Sequence, residues 1–316
     1  MERLKITALA GGVGAAKFLR GLIKTVPQED VTIIGNVGDD LELYGLHICP
    51  DLDTVMYSLA GMVCRKRGWG LEDDTFNCLS MLSRYGLETW FKLGDKDLAT
   101  HVYRTYLLKS GLRLSRVTSE LCRRLGLRVK ILPVTDNRLR TMIVTEEGTL
   151  SFQEYFVKKM CEPKVLEVFF DGADEAEPAP GVLESIMNAD VIIICPSNPI
   201  LSIQPILAVK GVREALQRSD KPVVAITPII AGKAVKGPTV KIMRELGYAA
   251  SALTVAEFYR DFLEIFVLDI RDRGLKSVIE SLGLKVSLHD TLMRTPEDEI
   301  RLAKEVLNAT LNPSNP

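Results

Sequence analysis

Ile6-Thr7-Ala8-Leu9-Ala10-Gly11-Gly12-Val13-Gly14-Ala15-Ala16-Lys17 reads as a short apolar strand that feeds directly into a glycine turn, and the amphipathic segment Phe18 to Ile23 carries the chain on as a helix. Such a strand-turn-helix unit brings backbone amides and a helix N-terminus up to a ligand, because glycines permit close approach and the helix end favours an anion. With Lys17 beside it the expected anion is a phosphate, and Gly11, Gly12, Gly14 and Lys17 are its candidate contacts. Two familiar variants do not fit. A Gly-x-Gly-x-x-Gly dinucleotide fingerprint would have glycine where Lys17 stands and an acid at the end of the next strand, where this chain has Asn36. That disfavours an oxidoreductase and leaves Asn36 as a candidate substrate-binding residue. A Walker A loop is excluded because Phe18, and no Ser or Thr, follows the lysine.

The 316 residues suffice for one large α/β domain or a domain with a substantial insertion. Forty basic and 41 acidic residues leave a net charge of -1, so no global field collects nucleic acid or an anionic membrane. An anionic ligand has to be caught locally. Cys49, Cys64, Cys78, Cys122, Cys161 and Cys195 are scattered without a C-x-x-C pair, which predicts reduced thiols in a cytoplasmic protein and no structural zinc. The expectation is a soluble protein, since no apolar run approaches a membrane span and the first apolar segment is a strand.

Continuous β-branched runs predict strands buried on both faces, as in a parallel sheet: Ile6 to Leu9, Val31 to Ile34, Val129 to Leu132, Val191 to Ile194 and Val223 to Ile226. Alternation with helical patterns predicts an α/β fold, a doubly wound, mostly parallel sheet. Residues 53–126 show helical periodicity without a convincing strand and read as a helical insertion into a core made of 1–52 and 127–316. Arg140 to Phe156, turning at Glu146-Glu147-Gly148, reads as a hairpin, and 296–310 as an amphipathic helix.

Ligands of open parallel sheets lie beyond the carboxyl ends of the strands. Asn36-Val37-Gly38-Asp39-Asp40 follows the second strand and puts two acids near the phosphate turn. Cys49-Pro50-Asp51-Leu52-Asp53-Thr54 starts a helix. One acid there serves as a cap, and a second is available to a hard divalent cation or as a base. Asp39, Asp40 and Asp53 are the candidate metal ligands, and Asp53 is also a candidate catalytic group. Trp90-Phe91-Lys92 joins an aromatic face to a cation, which suits a planar ring substrate. In Cys195-Pro196-Ser197-Asn198-Pro199 two prolines fix the backbone around a hydroxyl and an amide. The stretch from Pro228 to Pro238, with Gly232, Lys233 and Lys236, supplies a second glycine-and-lysine turn. His47, His101 and His289 show no spacing typical of a triad or a zinc site.

Taken in order, Gly11-Gly12-x-Gly14-x-x-Lys17, Gly38-Asp39-Asp40, Cys49-Pro50-Asp51-Leu52-Asp53-Thr54, Lys92-Leu-Gly-Asp-Lys-Asp-Leu-Ala-Thr100 and Pro196-Ser197-Asn198-Pro199 resemble the 2-phospho-L-lactate transferase family, over residues 6–270. The resemblance implies a Rossmann-like core with a helical insertion that contributes to an acceptor site, a homodimer, and Mg2+ as cofactor. It implies transfer of a phospholactyl or phosphoenolpyruvyl group from a guanosine diphosphate adduct to the deazaflavin 7,8-didemethyl-8-hydroxy-5-deazariboflavin, with release of GMP, in coenzyme F420 biosynthesis. Asp53 and Lys92 match acceptor and catalytic positions, with Trp90 beside them, and Ser197 and Asn198 match the nucleotide crevice. Val13 and Ala15-Ala16 depart from the Thr-containing turn of some members, which leaves the choice between the two donors open. The same turn and Pro-Ser-Asn-Pro also resemble a sister family of nucleotide-sugar-binding regulators linked to gluconeogenesis. The Asp51 to Thr54 and Trp90 to Asp95 segments fit the transferases better.

Overall fold

The computed structural model describes residues 4–235 and 237–311. Its centre is a seven-stranded parallel sheet formed by Ile6–Ala10 (β1), Val31–Gly35 (β2), Lys130–Pro133 (β3), Val191–Ile194 (β4), Val223–Ile226 (β5), Ile265–Asp269 (β6) and Lys285–His289 (β7). The order is β7-β6-β5-β4-β1-β2-β3. Every residue of β1, β4, β5 and β6 is buried, as β-branched strands covered by helices on both faces must be. The chain steps outward from β1 through β2 to β3 and then restarts at β4 on β1's other flank. The switch point of the sheet therefore lies between the carboxyl ends of β1 and β4. The five expected strands are present, and β6 and β7 extend the sheet beyond them.

The first helix, Gly12–Leu22 (α1), begins inside the glycine turn itself, earlier than the sequence suggested. Pro50–Leu59 (α2) packs beside it, with Leu52, Val55 and Met56 in the main core. Between α2 and β3 come Asn77–Arg84 (α3), Asp95–Lys109 (α4) and Leu114–Arg124 (α5). The main core also takes Leu114, Val117 and Leu121 of α5, so the two helices at the ends of the expected insertion belong to the core. A boundary at residue 53 falls within α2; the excursion proper carries α3 and α4. Part of it packs in a small separate cluster of Ile48, Leu93 and Leu98, while Tyr103, Leu107 and Leu108 of α4 lie against the main core.

The antiparallel pair Leu41–Leu43 and Leu46–Ile48 intervenes between β2 and α2. The expected hairpin, Arg140–Thr145 with Gly148–Ser151, gains a third strand in Val165–Asp171. The C-terminal helix Pro296–Leu311 lies against α1, where Gly21 meets the Glu299 backbone and Arg20 Nε donates to Glu299 Oε2 at 2.9 Å. All six cysteines are free; Cys49, Cys64, Cys122 and Cys195 are buried and Cys78 is exposed. Among the described residues no helix is long and apolar enough to cross a membrane.

Candidate active site

The two segments at the switch point are in direct contact. Gly11 N donates to Ser197 Oγ at 3.3 Å, and a Cβ on Gly14 would run into the Pro196 carbonyl oxygen, so only glycine lets the turn come this close to the end of β4. Gly12 adopts φ +74°, which turns the chain into α1. The first turn of α1 has neither a side-chain cap nor an acidic residue, which leaves an electropositive helix end at the crevice. Asn198 belongs to the scaffold of that crevice: its Oδ1 caps the next helix by accepting from Ile200 N at 3.0 Å and Leu201 N at 3.1 Å.

Lys17 is placed otherwise than expected. It stands five residues into α1, about 7.5 Å along the axis from Gly12, and its Nζ donates to the Met293 carbonyl at 3.0 Å. The ammonium ties α1 to the segment ahead of the C-terminal helix. The charge available to a phosphate at the turn therefore comes from the helix end and from whatever cation joins it.

Asn36, just past β2, holds two acids. Its Nδ2 donates to Asp39 Oδ1 at 3.0 Å and to Asp51 Oδ2 at 2.9 Å, while its Oδ1 accepts from Gly38 N at 2.8 Å. Asp51 also sits against the glycine turn: a Cβ on Gly11 would lie 2.5 Å from Asp51 Oδ2. Asp39 and Asp51 are 5% and 7% exposed. Burial, reinforced by Asp51 and opposed by the Asn36 hydrogen bond, raises the Asp39 pKa well above the ordinary carboxylate range. Burial likewise pushes Asp51 up to about 6, against the hydrogen bonds from Asn36 and the Gly12 amide. Neither acid has an ion-pair partner among the described residues. Two dry carboxylates side by side repel one another when both are ionised, unless a proton or a cation joins them, and their oxygens are hard donors of the kind Mg2+ takes.

The three expected metal ligands thus separate. Asp39 joins Asp51. Asp40 has its Oδ2 3.1 Å from Cys49 Sγ and 3.2 Å from His47 Nε2, and its charge also bears on Asp39 and Asp51. Asp53 faces the excursion: its Oδ2 accepts from Arg104 Nη1 at 3.0 Å and its Oδ1 from Arg104 Nη2, so both oxygens are engaged by a buried guanidinium. His101 Nδ1 lies 3.1 Å from Arg104 Nη1, and Asp97, which takes the Tyr57 hydroxyl at 2.8 Å, stands 3.3 Å from His101 Nε2. This buried polar network stitches α4 to α2. Arg104 takes one acceptor position on each Asp53 oxygen, so the metal-ligand or base role expected of Asp53 would have to use the remaining lone pairs.

Lys92 is exposed and its Nζ donates to the Thr89 carbonyl at 3.2 Å. Trp90 is half-buried, edge-on to Phe91 at 5.7 Å, with Lys158 Nζ 6.0 Å from its ring. This loop rests on the hairpin that follows Asp40, through Phe91 against the Ile48 cluster and the Tyr44 hydroxyl on the Glu88 carbonyl. The second glycine turn forms a two-residue hairpin, Ile229–Ile230 with Lys233–Ala234, and Lys236 lies outside the described residues.

A profile of the 2-phospho-L-lactate transferase CofD family matches residues 6–293. A phosphoenolpyruvate transferase from Kitasatospora aureofaciens is 43% identical over 311 residues, covering 96% of this chain and 97% of that one. A 2-phospho-L-lactate transferase from Methanosarcina mazei is 42% identical over 300 residues, covering 95% and 98%. Another from Methanopyrus kandleri is 41% identical over 308 residues, covering 96% and 97%. Among solved structures, a UPF0052 family member from Bacillus halodurans superposes with a TM-score of 0.63 at 19% identity, covering 97% of this chain and 99% of that one, a likeness of fold alone.

Proposed function

The chain belongs to the 2-phospho-L-lactate transferase family, a family of enzymes, and from that premise we propose that it moves a phospholactyl or phosphoenolpyruvyl group from a guanosine diphosphate adduct to a deazaflavin hydroxyl, releasing GMP, in the making of coenzyme F420. The observation that carries this reading is the Asp39–Asp51 pair, clamped by Asn36 against the glycine turn at the switch point. In the proposed site the amides of Val13 and Gly14, at the start of α1, hold the donor diphosphate, and Ser197 braces the turn through the Gly11 amide. Asn36 keeps Asp39 and Asp51 side by side as the residues that would hold Mg2+, which when bound supplies positive charge to the phosphates. The acceptor hydroxyl oxygen bonds to the phosphorus distal to guanosine, the bond to the GMP oxygen breaks, and the hydroxyl proton leaves. Trp90 and Lys92 meet the deazaflavin. Asp53 works at one remove, as a positioning residue that keeps Arg104 and α4, and through them the acceptor side, on α2.

Relatives of nearly equal identity carry the name of one donor or the other, so both adducts are to be tried. The test is incubation with the deazaflavin, each guanosine adduct and Mg2+. GMP and an acidic deazaflavin product should appear in equal amounts with one of the adducts. Absence of GMP with both adducts, together with a larger thermal shift from a UDP-sugar than from GDP, would overturn the proposal in favour of a binding regulator.

A further inference from the structure

Asp40, His47 and Cys49 come from three short pieces of chain that β2, the following hairpin and the start of α2 bring together. Their ligand atoms all lie within 4.8 Å of one another. The two separations that involve Asp40 Oδ2 are 3.2 Å to His47 Nε2 and 3.1 Å to Cys49 Sγ. Metal–ligand bonds of about 2.0–2.3 Å arranged tetrahedrally put neighbouring donors roughly 3.3–3.6 Å apart, so the two separations at Asp40 Oδ2 are within a few tenths of an ångström of what a shared ion needs. Asp40 is 4% exposed, and its other oxygen, Oδ1, is buried with no hydrogen-bond partner among the described residues. Cys49 is fully buried. The His47 side chain retains 20% exposure, which gives an ion a way in from solvent. The His47 backbone amide donates to Thr105 Oγ1 at 2.8 Å, which fixes the residue against α4.

From this we infer that Asp40, His47 and Cys49 form a binding site for a borderline-soft divalent cation of the zinc class, separate from the Asp39–Asp51 pair. An imidazole, a thiolate and a carboxylate select zinc or cobalt over magnesium, which prefers oxygen alone. On binding, the Cys49 sulfur–hydrogen bond gives way to a sulfur–metal bond and the proton leaves to solvent. His47 binds through neutral Nε2, the Asp40 carboxylate through Oδ2, and water completes the set. No Cys-x-x-Cys or His-x-x-x-His spacing announces the site, because its ligands come from a turn, a strand and a helix start.

Cobalt(II) is the probe, titrated into the full chain in buffer that contains excess Mg2+. The wild type should take up one equivalent with a thiolate-to-cobalt charge-transfer band and the visible bands of a tetrahedral ion, and zinc should bleach both. Cys49→Ser should lose the charge-transfer band. His47→Gln, at a half-exposed position that does not threaten folding, should lose the tetrahedral spectrum. Asp39→Asn should retain both features, which separates this site from the magnesium reading: a failure there leaves the cobalt spectrum intact. Bound cobalt without a charge-transfer band in the wild type, or a band that persists in Cys49→Ser, would overturn the inference.

Discussion

Replacing Asp53 by Asn should cost the fold about 3–5 kcal/mol, the range for leaving one member of a buried ion pair without its partner. Arg104 is 1% exposed and Asp53 4%. The guanidinium keeps only His101 as a further partner, and its Nε already has none among the described residues. An Asn can return one hydrogen bond to Arg104 but no charge, and it turns an NH2 donor towards a group that has only donors. The damage should be local first. The apolar attachment of α4 comprises the small Ile48–Leu93–Leu98 cluster and the packing of Tyr103, Leu107 and Leu108 on the main core, and the Asp53–Arg104 and Tyr57–Asp97 links are its polar ties to α2. Urea unfolding at neutral pH measures the global loss, and amide exchange should show α4 opening while β1 and α1 stay protected. The paired change Asp53→Leu with Arg104→Met removes both charges and should restore most of the loss, as apolar replacements of buried pairs do. An Asp53→Asn loss under about 1 kcal/mol, with the paired variant no better than the single, would refute this account of the network.

Metal-free protein should lose stability as pH rises through the interval between 3.8, the ordinary value for Asp51, and about 6, its value in the fold, because the native state holds that proton more tightly than the unfolded chain. The Asp51 share of the loss is roughly 3 kcal/mol; Mg2+ should reverse it at pH 7 but little at pH 4, and Asp51→Asn should remove that share in thermal melts and leave the part due to Asp39. Gly14→Ala should weaken GDP binding and lower stability by about 1–3 kcal/mol, since its Cβ meets the fixed Pro196 carbonyl; calorimetric titration that finds wild-type GDP affinity removes the turn from the nucleotide site. Trp90→Ala and Lys92→Ala should each weaken deazaflavin binding by about 1–3 kcal/mol and leave GDP affinity unchanged. Parallel loss of both ligands would make the Trp90 loop structural.

The sheet was legible because runs such as Val191 to Ile194 have no polar position to expose, and a strand buried on both faces is the structure that accepts them. β7 was not, since Lys285–His289 is an edge strand whose residues are exposed or only half-buried. The glycine turn and Ser197 follow the strands after which the sequence places them, whereas the acid that Asn36 holds beside Asp39 is Asp51, which was not among the expected metal ligands. The partners of the acids were not legible. Asp51 and Asp53 are two residues apart on one helix, so their side chains diverge by roughly 200°; one meets the glycine turn and the other meets Arg104, 51 positions further along the chain. No local pattern says which acid goes which way. The same limit applied to Lys17, whose position after the turn suggested a ligand but whose partner, Met293, lies 276 residues away.

That last separation has a consequence for the order in which the molecule is made. The helix that follows the glycine turn is synthesised long before the groups it rests on. Its two polar anchors, Met293 and Glu299, come 276 and 279 residues after the side chains they hold. β1 and β2 can pair early, but a nascent chain that ends before residue 293 has α1 with one flank bare. The helix behind the glycine turn should therefore settle only once residues 293–299 have been made, and a truncation that removes them should loosen it.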